Sequence, residues 1–152
     1  MNLSYSNKLI GFDKEFAFLI NLYDKKKLPN KLLFSGRKGI GKSTLALHLI
    51  NYLLENKNDD NKYNLIEHQI NTNNREFNLI HNNSHPNFIR IIKNSEKKTI
   101  EISQVKEILS FVNKSSFNNK LKIVLIEDVE NLSSSSGNSL LKIMEESDNK
   151  IL

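Results

Sequence analysis

The stretch Gly36–Ser43, GRKGIGKS, leaves this chain the least freedom in how it folds. It satisfies the spacing GxxxxGK(S/T) at each fixed position, and that spacing has a mechanical meaning. Gly36, Gly39 and Gly41 let the backbone turn successive N–H groups inward as an anion-binding nest. A helix starting near Lys42 adds its unpaired first-turn N–H groups and the positive end of its dipole. Such a loop needs a strand before it and a helix after it. Leu32–Phe34, a short apolar run, reads as the buried strand, and Ser43–Glu55, with Leu45, Leu47, Leu49, Ile50, Leu53 and Leu54, reads as a largely buried helix. The competing reading, a glycine-rich turn with Lys42 merely exposed, leaves that context unexplained.

Loops of this pattern hold the phosphates of a nucleoside triphosphate, and the candidate contacts with ATP are Gly36, Arg37, Lys38, Gly39, Ile40, Gly41, Lys42, Ser43 and Thr44. Lys42 reaches the β and γ phosphates as a point charge, Ser43 ligates Mg²⁺ through its hydroxyl, and Thr44 lies by the α phosphate.

Strands and helices alternate along the rest of the chain, which defines an α/β class with a parallel, doubly wound sheet. Leu9–Tyr23 places Phe12, Phe16, Leu19, Ile20 and Tyr23 on one helical face, with Asp13 as its cap and Pro29 as its stop. Phe88–Ile92 is a second strand. Ile102, Val105, Ile108, Leu109 and Val112 mark an amphipathic helix. Leu121–Ile126 is the strongest strand, with four consecutive apolar residues that suit burial on both faces. Ser133–Ser136 start a last helix whose core positions are Leu140, Leu141, Ile143 and Met144. Between the second and third helices, Asn56–Asn83 is a polar, Asn-rich insertion, part helix and part mobile loop. His81 and His85 fall at its end and read as solvent-exposed loop histidines rather than zinc ligands.

The strand Leu121–Ile126 closes on two acids, Glu127 and Asp128. A phosphate-loop ATPase needs one carboxylate near the metal and another to orient the attacking water, usually Asp then Glu. Here the two are exchanged: Glu127 takes the metal-side place, and Asp128 is the candidate catalytic, water-orienting acid. The shorter Asp128 falls about 1.5 Å short of the water, and misplacement of that size costs on the order of 10²-fold in rate. The order favours retention of nucleotide over its hydrolysis.

The net charge of +5 is a mild bias toward polyanions, and Lys25–Lys27, the one tight basic run, reads as a solvated helix end. No apolar run approaches the roughly 20 residues that a membrane span needs. Cysteine is absent, which excludes disulfides and thiolate metal sites and fits a reducing cytoplasm.

Three segments resemble one family, the clamp-loader AAA+ ATPases of bacterial DNA polymerase III. Leu9–Ala46 is similar to its first helix, first strand and phosphate loop. SHPNF (Ser84–Phe88) with Ile100–Val112 is similar to its second strand and the following helix. Lys122–Glu146 is similar to its acidic strand and the helix after it. The resemblance implies an AAA+ nucleotide-binding domain over residues 1–152, with 56–83 as an insertion. It also implies ATP and Mg²⁺ as cofactors, the latter on Ser43 and Glu127. Its implied partners are the other loader subunits, the sliding clamp and, through the complex, primer-template DNA, in a hetero-oligomer with no membrane. Asn138, Leu140, Leu141, Lys142, Glu145 and Glu146 match the helix that faces a neighbouring subunit or DNA in that family.

There are departures. The family's zinc cysteines are missing, and Ser147 stands where proline is usual. Together with the exchanged acids, the missing cysteines argue against the alternative of an ATP-hydrolysing gamma-type subunit. A small-molecule kinase, the other alternative, leaves Ser84–Phe88 and Lys122–Glu146 unexplained. The sequence ends at Leu152, where the family's next strand, expected from near Lys150 between the two site strands, is only starting. The sensor residues and helical lid would lie beyond it. The expectation is therefore a domain incomplete at its C-terminus and poorly stable alone.

Overall fold

The computed structural model describes residues 5–115, 121–146 and 151–152. They form two compact units, Met1–His85 and Pro86–Leu152.

The first unit is built on three helices, α1 (Asp13–Asp24), α2 (Lys42–Leu54) and α3 (Arg75–His81). The apolar stripe of α1 buries Phe16, Leu19 and Ile20, while α2 is buried continuously from Leu45 to Leu54. A helix buried on all sides needs apolar residues all round, which explains its weak amphipathic pattern. Around Phe16 the rings of His48, Tyr52, Tyr63 and His68 pack, mostly edge to face. Asp13 does not cap α1: Phe12 holds the cap position, and Asp13, in the first turn, accepts from His68 Nδ1 at 2.7 Å. The three lysines Lys25–Lys27 are exposed just past the helix end, as expected.

Asparagine side chains organise the insertion. Asn64 and Gln69 exchange backbone hydrogen bonds of 2.9 and 3.0 Å, and Lys8 faces Gln69 in an antiparallel bridge. Asn74 caps α3 by accepting from the N–H groups of Glu76 and Phe77, while its own amide donates to the Asn61 carbonyl. The histidines divide. His81 ends α3 against Phe77 and Tyr5, but His85 is buried, with Nε2 3.0 Å from a Glu76 oxygen. The expectation of two exposed loop histidines therefore fails at both: His81 is half-buried in the last turn of α3, and His85 is buried against Glu76 from the first turn of that helix.

Leu32–Phe34 is not a strand. It pairs with no segment among the described residues, and Leu33 is 78% exposed. A strand exists only through a neighbouring ladder, and an apolar triplet alone cannot supply one.

The second unit is a two-stranded parallel sheet, β1 (Phe88–Ile91) and β2 (Ile123–Ile126), with α4 (Ile102–Asn113) and α5 (Ser134–Glu146). Ile89 faces Val124 and Ile91 faces Ile126 across the ladder. These four side chains join Ile100, Val105, Ile108, Leu140 and Ile143 in one core. Both helices thus cover the same face of the sheet. β2 is less buried than expected: Ile123 is buried, but Val124, Leu125 and Ile126 are only half-buried. Leu141, expected in the core, is 56% exposed because it points away from the side that carries Leu140.

Polar groups secure the joints of this unit. The amide oxygen of Gln104 accepts from the Glu101 N–H at 3.2 Å, and its nitrogen donates to Ile92 at 2.8 Å, setting α4 against β1. Buried Lys122 donates to the carbonyls of Phe111, Val112 and Lys114 at the end of α4, where the dipole is negative. Burial first, and then the charge of Lys114, lower its pKa. Ser133 starts α5, as its serine run suggests, with its hydroxyl accepting from the Ser136 N–H. After α5, Lys150 lies outside the described residues, but Ile151 bridges Lys122 in parallel. Leu152 donates to the Lys122 carbonyl at 2.9 Å and accepts from Val124 N–H at 2.8 Å. Ile123 and Glu127 direct their N–H groups to β1, so the chain rejoins β2 on its opposite edge.

Candidate functional site

The first unit carries the glycine-rich loop. Gly39 has φ +82 and Gly41 φ +102, conformations that an L side chain rarely adopts. Gly41 is also the residue before α2, so the first turn of a 13-residue helix opens from a cap with no side chain to offer its N–H groups. A Cβ at Gly41 would lie 3.2 Å from Phe12 Cε2, whereas one at Gly39 would meet nothing within 4 Å. Lys42 folds back over the loop, and its ammonium donates to the carbonyls of Gly36 and Arg37 at 2.9 and 3.0 Å. Arg37 and Lys38 are exposed, Ile40 stands 55% exposed at the loop tip, and Ser43 and Thr44 are half-buried in the first turn of α2. Open glycine backbone, a helix N-terminus and a lysine seated on the loop give an arrangement whose chemistry suits a phosphate group.

The second unit carries the two acids. Strand β2 ends on Glu127, whose N–H bonds to the Ile91 carbonyl at 3.0 Å. Its carboxylate does not stand alone: Nε and Nη2 of Arg90 both meet Oε1. Asp128 then takes left-handed backbone, φ 50 and ψ 53, and is exposed at the start of a single 3₁₀ turn, Val129–Asn131. That turn is fixed from behind, since the N–H of Ile100 donates to the Asn131 carbonyl at 2.7 Å. Beyond it, Asn138, Leu141, Lys142 and Glu145 form an exposed stripe on α5 at the spacing i, i+3, i+4, i+7.

Sequence reading found the loop and both acids but missed two groups. Arg90 is the polar residue inside the apolar run FIRI, and such an outlier in a strand is a signal that a partner is near. His48 sits in the leucine-rich α2, fully buried, where nothing in the pattern singles it out. Its Nε2 donates to the Ser6 carbonyl at 3.0 Å, which leaves Nδ1 to accept from the Tyr63 hydroxyl at 2.7 Å. Burial lowers the His48 pKa and, with the charge of Glu55, raises that of Tyr63. No group of three or more metal-ligating side chains occurs among the described residues, and no helix there is long and apolar enough to cross a membrane.

The fold defines an α/β class, with a small parallel sheet and five α-helices among the described residues. The chain matches the family described as DNA polymerase III, delta subunit, over residues 12–152, and it belongs to that clamp-loader subunit family. No curated protein matches it. Membership ties the chain to DNA replication and to a multi-subunit polymerase complex.

Proposed function

We propose that this chain is a delta-prime-type subunit of the clamp loader, which binds ATP and helps to place the sliding clamp on primer-template DNA in the cytoplasm. The observation that carries the nucleotide reading is the seating of Lys42 across a loop whose glycines lead straight into α2. In this reading residues 1–152 are an AAA+ nucleotide-binding domain with 56–83 inserted in it. Gly36 to Thr44 receive the phosphates, the Lys42 ammonium leaves its two carbonyls for the β and γ phosphates, and Ser43 would hold Mg²⁺. The ion would supply charge neutralisation between those phosphates.

Turnover is a separate question. In this reading Asp128 would be the acid that orients water, one methylene shorter than the glutamate usual there. Nucleotide therefore serves assembly: an occupied loop fixes the unit in the shape its neighbours dock on. The α5 stripe Asn138–Glu145 is the face offered to a neighbouring subunit or to DNA. Reconstitution tests this reading. Clamp loading on primed DNA by the other loader subunits should require this protein, and Lys42→Ala should weaken assembly when ATP is present. Full loading in its absence would remove the proposal.

A further inference from the structure

The face of the β1–β2 sheet away from α4 and α5 holds an ion pair that the phosphate-loop reading does not use. Arg90 stands opposite Leu125 in the ladder, and Glu127 follows Leu125 by two residues, so both side chains emerge on the same face as diagonal neighbours. The side chain of Arg90 is 7% exposed and that of Glu127 16% exposed. Two charges so far removed from water persist only when each satisfies the other, and here two guanidinium nitrogens converge on one carboxylate oxygen. The partners belong to different strands, so the pair ties the carboxyl ends of β1 and β2 beside the Glu127–Ile91 backbone bond. A carboxylate held in this way is a poor cation ligand, because an arriving metal ion would meet the guanidinium charge at close range.

We infer that Arg90 is a positioning residue that holds Glu127 as a clamp between the two strand ends and so withdraws it from metal ligation. This deepens the nucleotide reading by reassigning one of its acids, but the clamp itself stands or falls without any nucleotide. The two roles predict opposite signs. An acid kept for an absent metal is a local liability, and its neutralisation raises stability. An acid that completes a half-buried ion pair lowers stability when neutralised, because Arg90 is left charged and unpaired.

Thermal melts of the full chain for wild type, Arg90→Met, Glu127→Gln and the double variant, each with and without Mg²⁺, test the assignment. Each single variant should lower Tm, and the double should fall no further than the worse single. Arg90→Lys, which keeps the charge without the two-nitrogen contact, should fall between wild type and Arg90→Met and serves if the latter does not fold. Mg²⁺ should leave the Tm of wild type unchanged, because Glu127 is held by Arg90. A rise in Tm for Glu127→Gln, additive losses, or a Mg²⁺ effect in wild type that Glu127→Gln abolishes would each overturn the inference. If the melts support the clamp while wild type binds no ATP, the nucleotide reading fails and the clamp does not.

Discussion

The ammonium of Lys42 lies 2.9 Å from the carbonyl oxygen of Gly36, six residues earlier, and so closes the glycine loop with the same side chain that the loop would use on a ligand. Lys42→Ala should therefore have two effects. Loss of two hydrogen bonds costs about 1 kcal/mol or less of stability at this partly exposed site. Loss of a charge-assisted phosphate contact costs roughly 2–3 kcal/mol, or about 10²-fold in ATP affinity. Calorimetric titration and a urea melt on the same variant separate the two.

Gly41 and Gly39 should respond unequally to alanine. Both lie at positive φ, so both lose about 1 kcal/mol from backbone strain. At Gly41 the new methyl also presses on Phe12 at 3.2 Å, adding about 1–2 kcal/mol as the ring shifts. Urea midpoints should rank wild type, then Gly39→Ala, then Gly41→Ala.

Asp128→Gly should be neutral or stabilising by up to about 1 kcal/mol, since glycine removes the left-handed strain at φ 50 and the lost carboxylate is exposed. A clear drop in Tm would mean that the side chain supports the turn.

The position of these features was partly written in the sequence. The glycine-rich loop was legible because its glycines take backbone that other residues avoid, and α1, α2, α4 and α5 because 3.6-residue periodicity survives a polar composition. The ends of α2 and the start of α4 fell within a residue, and Ser133 marked α5, but α1 starts four residues after Leu9 and ends five before Pro29. Leu32–Phe34 misled because pairing is a property of two segments. Of the four consecutive apolar residues expected to be buried in Leu121–Ile126, only Ile123 is fully so, because an apolar run does not say how completely its neighbours cover it. Arg90 and Glu127 lie 37 residues apart, and only the parallel register brings them together.

Acid should weaken the first unit through His48. Burial chiefly, together with the charge of His68 and against the favourable Ser6 bond, lowers its pKa below the ordinary 6.5. Between 6.5 and that lower value the unfolded chain binds a proton that the folded chain refuses, so stability falls as pH drops through this window and is complete above it. Urea melts at pH 7.5 and 5.5 should show the loss, reduced in His48→Gln. Tyr63→Phe leaves Nδ1 without its donor, costing about 1–3 kcal/mol at neutral pH.

On the proposed function, this loop holds ATP and keeps it. Equilibrium dialysis of the full chain against labelled ATP and Mg²⁺, with the bound nucleotide identified after long incubation, tests both halves at once. One bound nucleotide per chain, recovered as ATP, is expected, with greatly weakened binding in Lys42→Ala. Wild type that binds no more than Lys42→Ala, or bound nucleotide recovered as ADP with steady release of phosphate, would contradict it.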